Sequence, residues 1–304
     1  MFSAKSDQQG VADTPFLIMA KVITSLVNGQ FSNSIDLQDR GLAYGHGLFE
    51  TVALVNGRAE YWQEHLARLL NGSERLHIPY DTAFNKQLED DLNKLLQSLD
   101  QVPERLVLKV ILTRGQGGRG YAVNDGMKVN RILLLANFPD FPDFPSENGI
   151  EIHICKTALA RNPQLAGIKH LNRLEQVLAR AEWSSASIRE GVVCDTSGVL
   201  VEGTMSNLFW VKGGQLYTPD LSYCGVNGIV RGKILQFAAR CGIQVKQGFY
   251  ALNDLQSSDE VFFTNSLIGI WPVISCADKK LSRQWMIGPV TQQLQQQLAA
   301  EGMK

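Results

Sequence analysis

Apolar residues along this chain fall into two registers, one alternating and one helical, and the switches between them mark out the elements. KVITSLVNGQ near the N-terminus alternates as a strand does, and so do RLVLKVILTR (105–114) and RILLLANF (131–138). Between them the spacing turns helical, first with Leu66, Leu69, Leu70 and Leu76 over 63–77, then with Phe84, Leu88, Leu92, Leu95 and Leu96 after Asp81. Asn28-Gly29 and Asn56-Gly57 each stand between strand-like runs, and this pair accepts the left-handed backbone of a two-residue hairpin turn. Repeated proline in FPDFPDFPSENG then breaks regular structure, which places the domain boundary there.

The second half opens with a predicted strand, EIHICKT (151–157), runs irregularly to Ile168 and enters a helix over 172–185 with Leu174, Val177, Leu178 and Ala181 on one face. Short strands follow, with hairpins turning at Ser197-Gly198 and Gly213-Gly214 and a strand in EVFFT. NGIVRGKILQFAARCG reads as a helix with Asn227 as its N-cap. The pattern is α+β in both halves. The expected organisation is a disordered extension over 1–18, a smaller N-terminal α/β domain over 19–138, a linker over 139–150 and a larger C-terminal domain over 151–304.

With 304 residues and 44% hydrophobic content, the chain can bury a substantial core. Its 29 basic and 30 acidic residues nearly cancel, which argues against a nucleic-acid or polyanion partner and makes any charge-based recognition local. Five cysteines without a C-x-x-C pair fit neither a disulfide framework nor a zinc site and suggest reduced thiols in a cytoplasmic protein. No apolar run approaches the roughly 20 residues that a membrane helix needs. The five histidines lack metal-ligand spacing, and no metal is expected.

Gly115-Gln-Gly117-Gly-Arg-Gly120 fits G-x-G-x-x-G and follows a strand, but a dinucleotide site also needs a helix to open there. YAVNDGMKVNR has no helical spacing, so a pyrophosphate would find no helix N-terminus. The segment reads instead as a flexible loop over a site, with Arg119 at its tip as a candidate anion clamp. Lys169, at a loop-to-helix junction, and Glu202, on a hairpin, would each be bland alone.

Taken together and in chain order, DRGLAYGHGLFET, HLARL, GIKHLNRLEQVLAR, EGTMSNLF and GVNGIVRGKI resemble the motif series of the fold-type IV pyridoxal-phosphate enzymes. That family holds the branched-chain and D-amino-acid aminotransferases and the aminodeoxychorismate lyases. The resemblance runs from about Val22 to Val273, and GIKHLNRLEQV with LTRGQGGRGY is similar to the lyase branch in particular. It implies a two-domain α+β fold, a homodimer and a pyridoxal 5'-phosphate cofactor held by Lys169 as the Schiff-base lysine. It further implies that Glu202 pairs with the ring nitrogen, and that Arg68, the backbone N–H groups of Ile229 and Val230, and Asn265 with Ser266 hold the phosphate. Where branched-chain aminotransferases carry a tyrosine shortly after the lysine, this sequence departs and has Arg173, which favours the lyase. Arg119 and Lys109 are then candidates for the two substrate carboxylates, although a lysine alternating with apolar residues on a strand can simply face solvent. Tyr44, His46 and Thr51 default to packing residues. The implied reaction is elimination of pyruvate from 4-amino-4-deoxychorismate to give 4-aminobenzoate, with transamination on the same fold as the alternative.

Overall fold

A computed structural model describes residues 21–124, 126–278 and 281–302, so the extension expected over 1–18 lies outside the described residues. The first half comprises β1 (Val22–Val27), β2 (Gln30–Phe31), α1 (Arg40–Tyr44), β3 (Gly47–Val55), β4 (Arg58–Ala59), α2 (Trp62–Arg75), α3 (Phe84–Gln97), β5 (Arg105–Thr113) and β6 (Asn130–Asn137). Its strands pair antiparallel in the order β2-β1-β6-β5-β3-β4. Asn28-Gly29 and Asn56-Gly57 turn the two hairpins as predicted, all four residues taking positive φ between 49° and 78°. Alternate residues of β3, Leu48, Val52 and Leu54, face a layer built from α2 and α3, where Leu66, Leu69 and Leu88 are almost fully buried.

The second half holds α4 (Pro145–Asn148), β7 (Ile150–Ile154), α5 (Leu174–Arg180), β8 (Ile188–Cys194), β9 (Leu200–Gly203), β10 (Asn207–Lys212), β11 (Gln215–Pro219), α6 (Ile229–Arg240), β12 (Val245–Gly248), α7 (Leu252–Gln256), β13 (Glu260–Asn265), β14 (Gly269–Asp278), β15 (Leu281–Gln284) and α8 (Pro289–Ala300). Among the described residues its strands run β12-β11-β10-β13-β14-β7-β8-β9, with β15 paired to β14. The β14-β7-β8 portion is parallel, and most other neighbours are antiparallel. The hairpin between β10 and β11 turns on Gly213 and Gly214, at φ 57° and 73°.

Three local expectations need correction. The proline-rich break contains one helical turn, α4, because Pro145 occupies the first turn, where its missing N–H breaks no bond. The helix predicted over 172–185 is only Leu174–Arg180, and its apolar side faces outward: Leu174, Val177 and Leu178 are 69%, 60% and 53% exposed. The N-cap of α6 is Gly228, not Asn227. Asn227 is engaged otherwise, its carbonyl accepting from Arg68 and its side-chain oxygen from Arg231. A Cβ at 228 would stand 2.0 Å from Asn207 Oδ1, which leaves room only for glycine.

Trp210 in β10 is 1% exposed and lies stacked on Tyr217 and edge-on to Tyr250, the latter ring 4.8 Å away. Trp210→Ala is expected to cost about 3–5 kcal/mol in urea unfolding, and a loss below about 1 kcal/mol would show that this cluster is not a structural core.

Candidate active site

Residues 167–171 cross from one sheet system to the other and are tied to both. On the C-terminal side Gly167 N–H donates to the Gly225 carbonyl and Asn227 N–H to the Gly167 carbonyl, at 2.9 and 3.0 Å. On the N-terminal side Phe49 N–H donates to the Lys169 carbonyl and Leu171 N–H to the Gly47 carbonyl, both at 2.9 Å. Gly167 has φ +80°, the left-handed turn that starts this extended passage. Ile168 enters the N-terminal core with 1% exposure, and the next side chain, Lys169, lies half-buried with its Nζ 4.4 Å from the centre of the Phe49 ring.

Burial, reinforced by the guanidinium groups of Arg68 and Arg173, draws the Lys169 amine down from 10.5 to about 8, against the opposing pull of Glu50 and Glu202. A fraction of the amine is therefore uncharged near neutral pH. Glu202, 4% exposed on β9, is pushed up by burial, while Val226 N–H (2.8 Å), Arg173, Lys169 and Gln176 work the other way. Gln176, which hydrogen-bonds to Glu202, keeps its own Oε1 buried and unpaired. Arg173 donates from Nε to the His170 carbonyl at 2.8 Å.

A second corner collects residues from four elements, β3, α2, α6 and the end of β13. Arg68 on α2 forks onto Glu50, with Nε to Oε1 at 2.8 Å and Nη2 to Oε2 at 2.5 Å, and sends Nη1 to the Asn227 carbonyl at 3.0 Å. That third bond places the guanidinium beside the start of α6, where no side chain caps the N–H groups of Ile229 and Val230. His65 Nδ1 meets Glu50 Oε2 at 2.6 Å, and its Nε2 lies 3.4 Å from Ser266 Oγ. Asn265 uses its side chain locally: Oδ1 accepts from Leu267 and Ile268 N–H, and Nδ2 donates to the Met205 carbonyl. The result is a guanidinium, free helix N–H groups and a hydroxyl in one corner, suited to an anion.

Lys109 is exposed on β5 opposite Thr51, and its Nζ stands 5.4 Å from the same Phe49 ring that Lys169 approaches. Arg119 is exposed on the loop after β5, which contains no helix among its described residues. Tyr44 is 39% exposed at the end of α1.

Residues 47–276 match the family described as amino-transferase class IV. The chain belongs to that family. It is 35% identical over 280 residues to an aminodeoxychorismate lyase of Vibrio harveyi, covering 88% of this chain and 97% of the relative. The crystal structure of 4-amino-4-deoxychorismate lyase from Pseudomonas aeruginosa superposes with a TM-score of 0.84 at 41% identity, covering 91% of this chain and 98% of that one. A D-alanine aminotransferase of Listeria monocytogenes is 30% identical, with 88% of this chain and 91% of the relative covered.

In this class IV chain, two residues of the anion corner were not singled out from sequence. Glu50 follows the inward register of Leu48, Val52 and Leu54, and an acid in that register is a signal that a buried cation must meet it. His65 stands three residues before Arg68 on α2, hence on the same helical face. Glu190, 0% exposed, is a third: it accepts from Thr204 and Ser206 hydroxyls and fixes the turn that follows Glu202.

Burial raises the Glu50 carboxyl, but Arg68 and His65 overcome this and hold it at about 2. Removing the charge leaves a buried guanidinium without its partner. Glu50→Gln is expected to lower unfolding stability by about 3–5 kcal/mol at neutral pH, measured by urea titration, and an unchanged midpoint would contradict the role of this pair.

Proposed function

We propose that this chain is a pyridoxal-phosphate-dependent 4-amino-4-deoxychorismate lyase, releasing pyruvate and 4-aminobenzoate, the latter a folate precursor. The observation that carries the reading is Lys169: an amine of lowered pKa within electrostatic reach of both Glu202 and Arg68 of the anion corner. The residues fit the cofactor. Its aldehyde requires an uncharged amine, its ring nitrogen an acid, and its phosphate the guanidinium and N–H groups gathered beside Gly228, where a Cβ could not be placed. Arg68, Ile229 and Val230 through their backbones, and Ser266 with the Asn265 turn would hold the phosphate; Arg173 would lie toward the phenolate side. When bound, the cofactor supplies an electron sink for charge developing on the substrate carbon that bears nitrogen.

Lys169 serves as the base. Its Nζ takes the proton from the carbon carrying the amino group, and the C–O bond to the enolpyruvyl group breaks as the ring becomes aromatic. The same Nζ then returns a proton to the enolpyruvate methylene, which completes pyruvate without any net gain or loss of atoms. Glu202 would pair with the ring nitrogen and hold a proton there. Lys109 and Lys169 both approach the Phe49 ring, and Arg119 lies on the loop that leaves β5 next to Gly47, so both Lys109 and Arg119 are read as partners for the substrate carboxylates.

The outward apolar side of α5 supports a homodimer, since an isolated chain would leave Leu174, Val177 and Leu178 in water. No helix among the described residues is long and apolar enough to cross a membrane, and all five cysteines are free thiols, which supports a cytoplasmic setting. We retain the division into domains over 19–138 and 151–304.

Purified enzyme given 4-amino-4-deoxychorismate without any keto acid is expected to form pyruvate and 4-aminobenzoate in equal amounts. Conversion of the cofactor to its amine form as the main event would instead make the enzyme a transaminase. Glu202→Gln should still capture the cofactor but turn over on the order of 10²-fold more slowly, and an unchanged rate would remove Glu202 from the ring nitrogen. Because the uncharged fraction of the amine grows as pH rises through its pKa, the rate at which apoenzyme captures the cofactor aldehyde should climb with pH through about 8 and level off above it. A climb centred near 10.5, the ordinary lysine value, would show that Lys169 is not the residue being titrated.

A further inference from the structure

The loop that carries Arg119 is held from below by a buried guanidinium that none of the chemistry above uses. Arg40, on α1, is 3% exposed. Its Nη1 donates to the Gly120 carbonyl at 3.0 Å and its Nη2 to the Tyr121 carbonyl at 2.9 Å, across roughly a quarter of the chain. Its Nε donates to His46 Nδ1 at 3.3 Å. His46 Nε2 lies 2.9 Å from the Leu76 carbonyl, which can only accept, so the ring proton sits on Nε2 and leaves Nδ1 free to take the Arg40 hydrogen. Every donor edge of Arg40 is thereby aimed. Among the described residues its hydrogen-bond acceptors are two carbonyls and a neutral imidazole, with no carboxylate to offset the burial of its charge.

The rest of the loop is closed around this fork. A Cβ on Gly115, at φ +83°, would fall 1.6 Å from the Lys128 carbonyl oxygen, so the two stems touch. Arg114 donates to the carbonyls of Met127 and Asn124, and Tyr121 sets its ring edge-on to Tyr44 at 5.4 Å, with the Arg40 guanidinium 4.9 Å from the Tyr44 ring. The root of the loop adjoins the lysine segment: Gly47 pairs with Thr113, and a Cβ on Gly47 would meet Leu171 Cδ1 at 2.6 Å. The loop read as flexible from sequence is thus held just after Arg119, where the Gly120 and Tyr121 carbonyls both accept from Arg40.

We propose that Arg40 is a positioning residue for substrate recognition: by clamping the Gly120 and Tyr121 carbonyls it fixes where Arg119 presents its guanidinium to a substrate carboxylate. The proposal rests on the reading of Arg119 as a carboxylate partner. A lysine at 40 could reach one carbonyl but not both, since it lacks the planar fork.

The test uses the holoenzyme with Arg40→Lys, Arg119→Gln, the double variant and Gly117→Ala, whose added methyl would stand 2.8 Å from Arg40 Cδ and push that side chain away. Arg40→Lys and Gly117→Ala should each raise KM about tenfold with kcat within about twofold, and speed amide exchange over 116–124 while the remainder of the chain exchanges as before. Within the Arg119→Gln background, Arg40→Lys should add no further rise in KM. Equal KM effects in both backgrounds, or unaltered exchange over 116–124, would overturn the proposal. A raised KM in Arg119→Gln with a normal KM in Arg40→Lys overturns the positioning role alone, whereas a normal KM in Arg119→Gln overturns the reading of Arg119 itself. If Arg40→Lys does not fold, Gly117→Ala alone carries the same comparison.

Discussion

Four backbone hydrogen bonds made by residues 167–171 decide where everything else in the site can be. They join the start of β3 to the 225–227 strand-like passage, so that the lysine sits where two independent sheet systems meet. Backbone bonds are well suited to this task because they fix the main chain without engaging the side chain. Lys169 can consequently be held by its own peptide while its amine is left to chemistry. The alternation within the segment does the rest: Ile168 goes into the N-terminal core, and Lys169 is turned the opposite way.

Around that seam the charges are arranged so that no cation acts alone. Arg68 and Arg173 lower the lysine's proton affinity, Glu50 and Glu202 raise it, and burial tips the balance toward the neutral amine. The two acids diverge for the same reason. Glu50 receives a guanidinium fork and an imidazole and is kept ionised, whereas Glu202 has one backbone N–H and more distant cations and is pushed the other way. Two carboxylates of the same type are thus shifted in opposite directions by their surroundings.

What could be read from sequence follows how local each cause is. The Asn-Gly turns, α2 and α3 were legible because the residues that decide them lie within a few positions of one another. The length of α5 was not, since among the described residues its apolar side is mostly exposed and spacing alone cannot show where such a helix stops. The N-cap of α6 was misplaced by one residue because Asn227, the better capping type, is drawn to Arg68 from the other half. For the site, the family motifs pointed to Lys169, Glu202 and Arg68, and all three meet here; the acid that restrains Arg68 could have been noticed from its inward register on β3. Arg40 could not have been found that way. Its partners are carbonyl oxygens 80 and 81 positions along the chain, and carbonyls leave no trace in composition or spacing.

The uncapped start of α6 has one more effect. A helix that begins on glycine, with its first N–H groups given no side-chain acceptor, is least secure at that end until an anion arrives to accept those bonds. Such an anion binds the folded form and not the unfolded chain, so its free energy adds directly to that of folding. The melting temperature of the apoprotein should then depend on the phosphate content of the buffer, which ties the durability of this half of the molecule to the supply of its own vitamin.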